Sequence, residues 1–313
     1  MQKDLQGLFE EYIEYVTHTR KLRSATIQGY KEVFRVFTML MPEMTSPVII
    51  SSEKMSYFFK ELDVRKRIVG KGEVRVGIKA STVMSYWCRL NSFFNWLEDR
   101  RYLEKNPLAK MKPAEPEYVD RKSFSKSNLE RIIGAIDLYS KNTLLLKRDK
   151  AIIYLLFYTG IRKSELYSLR TMDVDLEKRI LNVEGRTSKS KKTRELPINP
   201  TLSIHLKEYI TERNKKGYKT EYLIVSNNKD GRLSRDGLNH FVKKLVRLSG
   251  VKFHLHMFRH TFACACAKNG IGSYKLQKLM GHTDLRMTDR YLRSMGVEDF
   301  RDDVNKLNID NLI

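Results

Sequence analysis

The longest apolar run of the chain lies in the segment Ala151-Ile-Ile-Tyr-Leu-Leu-Phe-Tyr-Thr-Gly-Ile-Arg-Lys-Ser-Glu-Leu166. Its first part, from Ala151 to Tyr158, is hydrophobic all round, which is typical of a helix inside a core. The run is far shorter than the roughly 18 to 20 apolar residues that cross a bilayer. We therefore predict a buried helix that ends at Thr159-Gly160, with a second helix beginning directly after it.

The charge balance of the chain points to a polyanionic partner. Lys and Arg number 59 against 37 Asp and Glu among 313 residues, which gives a formal net charge of +22. A phosphate backbone gains affinity from each Lys or Arg contact because the contact releases a counterion. A small acidic substrate does not require so large an excess. With 41% hydrophobic and 31% charged residues, the composition excludes a fibrous or disordered chain, and we expect nucleic acid to be the partner.

The N-terminus and the cysteines indicate a cytoplasmic, nucleoid-associated protein without a membrane partner. Acidic residues interrupt the apolar pattern of residues 1–19, which a signal peptide would not tolerate. Cys88, Cys264 and Cys266 have neither the number nor the spacing of a disulfide framework, so a reducing compartment fits best. Cys88 stands in an apolar stripe, and we expect it to be buried.

Four amphipathic helices are predicted in the first hundred residues, because apolar residues recur there at helical spacing. The stripes begin at Leu5, Ile27, Met55 and Val83. Serine stands before the last two stripes, as expected of helix N-caps. We interpret residues 1–111 as a helical DNA-binding domain.

A basic, glycine-containing stretch separates the third helix from the fourth. We expect an irregular connection there that either contacts DNA phosphates or is simply solvated. The candidate DNA contacts in it are Arg65, Lys66, Arg67 and Lys79. Prolines then become frequent between Asn106 and Pro116, where the helical periodicity stops, and we assign residues 112–120 to a linker.

Residues 121–313 are predicted to form a second, mainly helical domain with a small β-hairpin. Ile180–Val183 and Glu195–Ile198 have the character of strands. The nine residues from Arg186 to Arg194 between them include five basic side chains and no acid. This cationic tip supplies three further candidate DNA contacts, Lys191, Lys192 and Arg194.

Several side chains of the second domain are suited to phosphoryl transfer, which needs cations on the phosphate, an acid for the leaving oxygen and a nucleophile. Arg162 stands where one predicted helix ends and the next begins, a rigid position at a helix N-terminus. His256 and Arg259 are three residues apart and would share one face of a helix. The other candidates are Lys189 in the cationic hairpin, His282 after Met280-Gly281, and Tyr291 nine residues beyond that histidine.

The assembled motifs resemble those of the tyrosine recombinases, the lambda-integrase and Xer-type family, over nearly the whole chain. Thr159-Gly-Ile-Arg-Lys-Ser-Glu-Leu166 is similar to the family's first arginine motif, which makes Glu165 the supporting acid. Ser188-Lys-Ser-Lys-Lys-Thr-Arg-Glu-Leu-Pro197 aligns with its lysine hairpin and assigns the lysine to Lys189, or to Lys191 if the alignment shifts by two residues. The remaining matches are His256-Met-Phe-Arg259, Met280-Gly-His282 and Tyr291, with Phe258 and Met280 where leucine is more usual.

The resemblance implies a mainly α fold, with a SAM-like N-terminal core-binding domain and a mixed α+β catalytic domain that contains a small sheet. It implies that Tyr291 attacks the scissile phosphate and forms a 3′-phosphotyrosyl link, while Arg162 and Arg259 clamp the phosphate oxygens. The two histidines of the motifs complete the site, and Lys189 protonates the leaving 5′-oxygen. Strand exchange would pass through a Holliday junction without a cofactor, ATP or a metal ion.

The resemblance further implies a homotetramer on two double-stranded DNA recombination sites, in which the tail, residues 292–313, docks on a neighbouring protomer. An accessory recombinase or a DNA-bending protein is left open as a partner, and so is the choice between dimer resolution, integration or excision, and inversion. Two alternative functions are strand relaxation of the type IB topoisomerase kind and a catalytically silent DNA-binding regulator.

A metal site competes with this interpretation, because His256, His260 and Cys264 stand at i, i+4 and i+8 of one predicted helix. Cys266 would point away from that face, and the recombinase motifs already account for His256. We therefore expect no metal and interpret His260 as a residue that supports the site from behind.

Overall fold

The computed structural model divides into two compact units, Met1–Val119 and Asp120–Ile313. It describes residues 4–70, 72–115, 123–185, 193–227, 229–285 and 287–288. Tyr291, Lys189, Lys191, Lys192 and the tail 292–313 lie outside the described residues. Within the described ranges, no helix is long and apolar enough to cross a membrane.

The first unit contains the four predicted helices, packed on an aromatic core. Phe9 stacks on Phe34 with ring centroids 3.7 Å apart and meets Phe93 edge-on at 5.3 Å. These aromatic stripes are thus core residues, and the mainly helical prediction for this unit is confirmed. The helices are α1 (Leu5–Glu14, followed by a π-helical turn Tyr15–Thr19), α2 (Ser24–Leu40), α3 (Ser52–Val64) and α4 (Ala80–Asp99).

A β-hairpin stands where the sequence predicted an irregular connection. Its antiparallel strands are β1 (Lys66–Val69) and β2 (Glu73–Val76), and the turn between them includes Gly70 and Gly72 at positive φ. No strand residue is buried. The alternation of buried and exposed residues that reveals most strands is therefore missing from the sequence.

The prediction for Cys88 was wrong, since this thiol is exposed. The buried face of α4 carries Leu90, Phe93 and Leu97. Cys88 lies two residues before Leu90, a rotation of about 200° around an α-helix. The side chain therefore points away from the core.

The second unit combines helices with a short antiparallel sheet whose three strands lie in sequence order. Both predicted strands are present, the second beginning one residue earlier than expected, and the two-residue strand β3 was not foreseen. The elements are α5 (Lys126–Tyr139), α6 (Thr143–Thr159), α7 (Lys163–Ser168), β3 (Val174–Asp175), β4 (Ile180–Val183), β5 (Arg194–Pro197), α8 (Pro200–Lys215), α9 (Arg235–Ser249), α10 (Leu255–Lys268) and α11 (Ser273–Met280).

Helix α6 forms the centre of this core and ends at Gly160, as predicted. Ile152, Leu155 and Leu156 are fully buried. The helix begins two turns before the apolar run, with Asn142 as its N-cap, and it includes a buried ion pair: Arg148 lies 2.7 Å from the carboxylate of Asp149 and also donates to a backbone carbonyl. Pairing and hydrogen bonding offset the cost of burying these charges.

Candidate active site

Arg162 is held at the junction between α6 and α7. Gly160 ends α6 in the left-handed conformation, with φ 58°, and a Cβ at this position would collide with the ring of Phe262 on α10. Arg162 is the N-cap of α7, and its backbone N–H donates to Oε2 of Glu165 at 2.8 Å. The backbone of Arg162 is thereby fixed by a helix cap rather than by a mobile loop.

Glu165 is a fully buried carboxylate shared by two arginines. Nη1 of Arg162 donates to its Oε1 at 3.0 Å, while Nη1 and Nη2 of Arg194 donate to the two carboxylate oxygens at 3.1 and 2.8 Å. Burial alone would raise the pKa of Glu165. Its hydrogen bonds with Arg194 and the charge of that residue, followed by those of Arg162, lower the pKa below its usual value. Glu165 is thus ionised at neutral pH.

Arg259 lies on α10, as the H-x-x-R spacing predicted, and it is 2% exposed. Its Nη1 donates to the Gly160 carbonyl at 2.7 Å, and its Nη2 donates to the Met280 carbonyl. Arg259 therefore links the end of α6 to the end of α11. His256 lies one turn earlier on the same helix, near enough for its charge to influence His282.

The carboxyl end of α11 is the structural centre of the site. Gly281, at φ 59°, and His282 close a Schellman motif, since their N–H groups donate to the carbonyls of Lys278 and Gln277. The next three carbonyls each accept from a different guanidinium. The pairs are Leu279 with Arg194, Met280 with Arg259, and Gly281 with Arg162. Every carbonyl that the end of this helix leaves without a helical partner is satisfied.

His282 follows directly on this helix end. Its Nδ1 lies 2.9 Å from the hydroxyl of Thr288, which is fully buried. Burial and the charges of Arg259, Arg162, Arg194 and His256 lower the pKa of His282 to about 3. The imidazole is therefore neutral at physiological pH, and the contact with Thr288 fixes which of its nitrogens faces the protein.

His260 and Cys264, two members of the alternative metal site, contact each other. The Sγ of Cys264 lies 3.7 Å from Nε2 of His260, and both residues are buried. Within the described ranges, no group of three or more His, Cys, Asp or Glu side chains is suited to a metal ion. Phe258 and Met280, which depart from the usual family residues, are fully buried among apolar neighbours and keep the packing role of leucine.

The predicted DNA contacts of the first unit differ in their exposure. Lys66 and Lys79 are exposed. The guanidinium of Arg67 donates twice to the Gly77 carbonyl, at 2.5 and 3.0 Å. Two nitrogens of Arg65 are buried and have no hydrogen-bond partner among the described residues. The two lysines are therefore the better placed of the four for a phosphate.

A second group of exposed cations was missed by the sequence analysis. Arg232 lies between the rings of Tyr167 and Tyr222, with its Cζ at 4.2 and 4.9 Å from the ring centroids. Arg235 lies 5.5 Å from the ring of Tyr167, and Lys163 donates to Asn239 at 2.6 Å. These residues are scattered in sequence, so no charge run marks them. They meet because α7 and α9 bring them together.

The arrangement is suited to binding an anion. Three guanidiniums and one neutral imidazole meet at the end of α11, and the one buried carboxylate among them compensates a single charge. Arg162 and the carbonyl it contacts are 119 residues apart in sequence, so this convergence is a property of the fold. Charged donors fixed on a rigid frame favour a phosphate diester whose negative charge grows during a reaction.

Known proteins resemble this chain over most of its length. The model of the Phage integrase family matches residues 122–296. A tyrosine recombinase of Thermosipho africanus is 29% identical, covering 97% of this chain and 100% of the relative, and XerC of Thermodesulfovibrio yellowstonii is 30% identical, covering 91% of both. The Tn1549 transposon integrase in complex with a circular intermediate DNA has the same fold, with a TM-score of 0.74 at 18% identity over 96% of this chain and 99% of that one. A lambda integrase dimer bound to a core site reaches a TM-score of 0.70 at 17% identity over 98% and 80%.

Proposed function

The chain belongs to the Phage integrase family and is a tyrosine-type site-specific DNA recombinase, and we propose that it cuts and rejoins double-stranded DNA at paired sites through Tyr291. Arg162, Arg259, His256, His282 and Lys189 are the other catalytic residues of this proposal. The observation that carries it is the convergence of Arg162, Arg259 and His282 at the end of α11. We place the reaction in the cytoplasm, on nucleoid DNA.

The two arginines hold the scissile phosphate. Backbone and Glu165 oxygens hold both guanidiniums in place. The two guanidiniums bind the non-bridging oxygens, and the fixed geometry avoids a reorganisation cost when charge develops in the transition state.

The covalent step exchanges one phosphoester bond for another. The phenolic oxygen of Tyr291 releases its proton to solvent as it attacks phosphorus, the bond to the 5′-oxygen breaks, and Lys189 gives that oxygen a proton. The 3′-phosphotyrosyl link keeps the energy of the broken bond, so neither ATP nor another cofactor is required for resealing. His256 and the neutral imidazole of His282 complete the hydrogen bonds around the phosphate.

Neither of the two alternative functions that the sequence left open is favoured. Type IB topoisomerase-like relaxation would require only one DNA duplex, and a silent regulator would not need the arranged arginines. The two relatives described above, which cover 97% and 91% of this chain, are tyrosine recombinases. A site-specific recombinase is therefore the function that best fits both the site and the relatives.

The assembly in this proposal is a homotetramer on two DNA sites, connected by exchange of residues 292–313. Two proteins with the same fold support this assembly: a lambda integrase forms a dimer on its core site, and XerH was solved bound to palindromic difH substrate. Mass photometry with DNA tests it. A variant that ends at residue 291 should bind DNA but should not assemble beyond the protomers on a single site.

Recovery of covalently bound DNA tests the function and identifies the target sequence in the same experiment. The protein is incubated with genomic DNA fragments in EDTA and without ATP, denatured, and the DNA that stays attached is sequenced. We expect DNA fragments that are attached to the protein through their 3′ ends and that share one motif present in two copies. The matched control Tyr291→Phe should recover none. Cleavage that requires a divalent metal would contradict the proposal and restore the metal interpretation of His256, His260 and Cys264.

A sulfur-substituted substrate tests the acid. Lys189→Ala should slow cleavage of ordinary DNA strongly but cleave DNA with a 5′-bridging sulfur almost as well as the unchanged protein, because a thiolate leaves without a proton. Lys191→Ala is the matched control. If Lys191→Ala shows the rescued defect and Lys189→Ala does not, the assignment of the acid moves by two residues.

A further inference from the structure

Arg194 occupies the centre of the buried network at the end of α11. Its two Nη atoms donate to the two carboxylate oxygens of Glu165, and its Nε donates to the Leu279 carbonyl at 3.0 Å. Its side chain is 9% exposed. Both edges of this guanidinium donate to oxygens inside the protein. Arg194 is therefore poorly placed for the DNA contact that the cationic hairpin suggested. The structure gives it a different set of partners.

The charge balance explains what Arg194 contributes. If the buried Glu165 were paired with Arg162 alone, that pair would carry no net charge. With Arg194, the three side chains carry a net charge of +1, so the positive charge of Arg162 remains available to an anion. The bidentate geometry of Arg194 suits a planar carboxylate, a match that a lysine ammonium cannot reproduce.

Arg194 also fixes the end of the helix that precedes His282. A Cβ added to Gly281 would lie 3.0 to 3.2 Å from three atoms of the Arg194 side chain. The glycine thus provides both the left-handed turn and the space for this guanidinium. Through Glu165 on one side and Leu279 on the other, Arg194 connects the support of Arg162 to the support of His282.

We propose that Arg194 is a positioning residue for DNA cleavage, which neutralises Glu165 and anchors the end of α11 so that Arg162 offers its charge to the scissile phosphate. This role rests on the proposed function, in which Arg162 contacts that phosphate. Loss of Arg194 then acts on charge compensation at phosphorus, and DNA affinity changes much less.

Single-turnover cleavage of two DNA substrates tests the proposal. One has an ordinary scissile phosphodiester, and the other has a methylphosphonate, which carries one negative charge fewer. Arg194→Met should slow phosphodiester cleavage about 10- to 100-fold, a smaller loss than removal of a donor that itself contacts the developing charge. It should slow methylphosphonate cleavage much less. Arg194→Lys keeps the charge without the planar fork and should fall between the unchanged protein and Arg194→Met.

A second substitution examines the charge argument directly. Adding Glu165→Gln to Arg194→Met removes the carboxylate that would otherwise neutralise Arg162, while the amide oxygen can still accept from the Arg162 backbone. The double variant should cleave the phosphodiester faster than Arg194→Met alone. A double variant that is no faster would overturn the proposal.

Arg148→Met is the matched control, because Arg148 is also buried and also paired with a carboxylate, that of Asp149. It should lower the melting temperature and leave the ratio of the two cleavage rates unchanged. The proposal is overturned if Arg194→Met slows both substrates equally. Arg162→Met separates the phosphate contact proposed for Arg162 from the positioning role proposed for Arg194. If neither variant prefers the methylphosphonate, the phosphate contact of Arg162 is wrong. If only Arg162→Met prefers it, the role of Arg194 alone is wrong.

Discussion

The two basic hairpins of this protein differ in what lies beneath them. In the hairpin of the first unit, Ile68 is 80% exposed and Val74 is 61% exposed, so its strands cover no core. In β4 and β5 of the second unit, Leu181 and Leu196 are almost completely buried. One hairpin is a surface feature, and the other is part of the frame of the candidate active site.

The difference decides what a cation on each hairpin can do. Lys66 keeps its charge in solvent, where it can meet a phosphate backbone without a fixed geometry. Arg194 is drawn inside and fixed by a buried carboxylate and a helix end. Exposed cations therefore suit affinity, and buried, hydrogen-bonded cations suit the preorganisation that catalysis requires.

Among changes to buried and exposed cations, we expect Arg259→Lys, a change to the buried arginine on α10, to have the largest effect. Lysine cannot hold both the Gly160 and Met280 carbonyls and still offer two donors to a phosphate, so cleavage should slow about 100- to 1000-fold. DNA affinity should change little. Single-turnover rates and filter binding measure the two quantities. The matched substitution on the exposed hairpin, Arg67→Lys, should leave the cleavage rate at saturating protein unchanged, and an equal loss in both variants would remove the distinction.

Truncation of one apolar residue in each hairpin compares their contributions to stability. Leu181→Ala should lower the free energy of unfolding of the second unit by about 2 to 5 kcal/mol, since it leaves a cavity in a packed core. Ile68→Ala should change the first unit by less than about 0.5 kcal/mol, because an exposed residue has little packing to lose. Urea denaturation of both variants measures the two values. A large loss for Ile68→Ala would mean that this hairpin is covered in solution.

The exposed lysines should act on the salt dependence of binding. If Lys66 and Lys79 each contact a phosphate, the variant with both changed to alanine should reduce the slope of log affinity against log salt by about 1.8, since each contact contributes about 0.9 on B-DNA. The cleavage rate at saturating protein should stay the same. An unchanged slope would assign both lysines to the solvated surface.

The smallest expected effect is the absence of a titration. With its pKa lowered to about 3, His282 of the DNA-free protein should keep constant imidazole ¹⁵N shifts from pH 8 to pH 5. Because the unfolded state takes up a proton near pH 6.5 and the folded state does not, His282 should lower the free energy of unfolding as the pH falls below that value. Comparison with His282→Gln assigns the signal. A titration near neutral pH would mean that burial and the neighbouring arginines do not control this group.

The sequence predicted those helices and strands in which buried apolar residues recur at regular spacing. The apolar stripes gave the four helices of the first unit and α6, and Gly160 gave the end of α6. The hairpin of the first unit was missed because its strands have no buried face. The apolar run located α6 only from Ala151 onwards, because the burial of Arg148 and Asp149 involves a contact with a carbonyl distant in sequence.

The sequence predicted the candidate side chains of the site. It did not predict the contacts among them. Spacing and resemblance identified Arg162, Arg259 and His282. Nothing in the local sequence shows that Arg194 turns inward to Glu165, 29 residues away. Thr288 was also missed, although it lies six residues after His282 and contacts its ring. A single hydroxyl in a polar segment carries no signal until the fold buries it.

Peptide mapping of the covalent complex tests the central claim most directly. The protein is trapped on a nicked DNA substrate that carries the recovered site and releases the cleaved strand, then digested, and the peptide that carries the nucleotide is identified by mass spectrometry. We predict a 3′-phosphotyrosyl adduct on Tyr291 and none on Tyr274, the exposed tyrosine on α11. An adduct on Tyr274 or on any other residue, or cleavage without a covalent intermediate, would contradict the account.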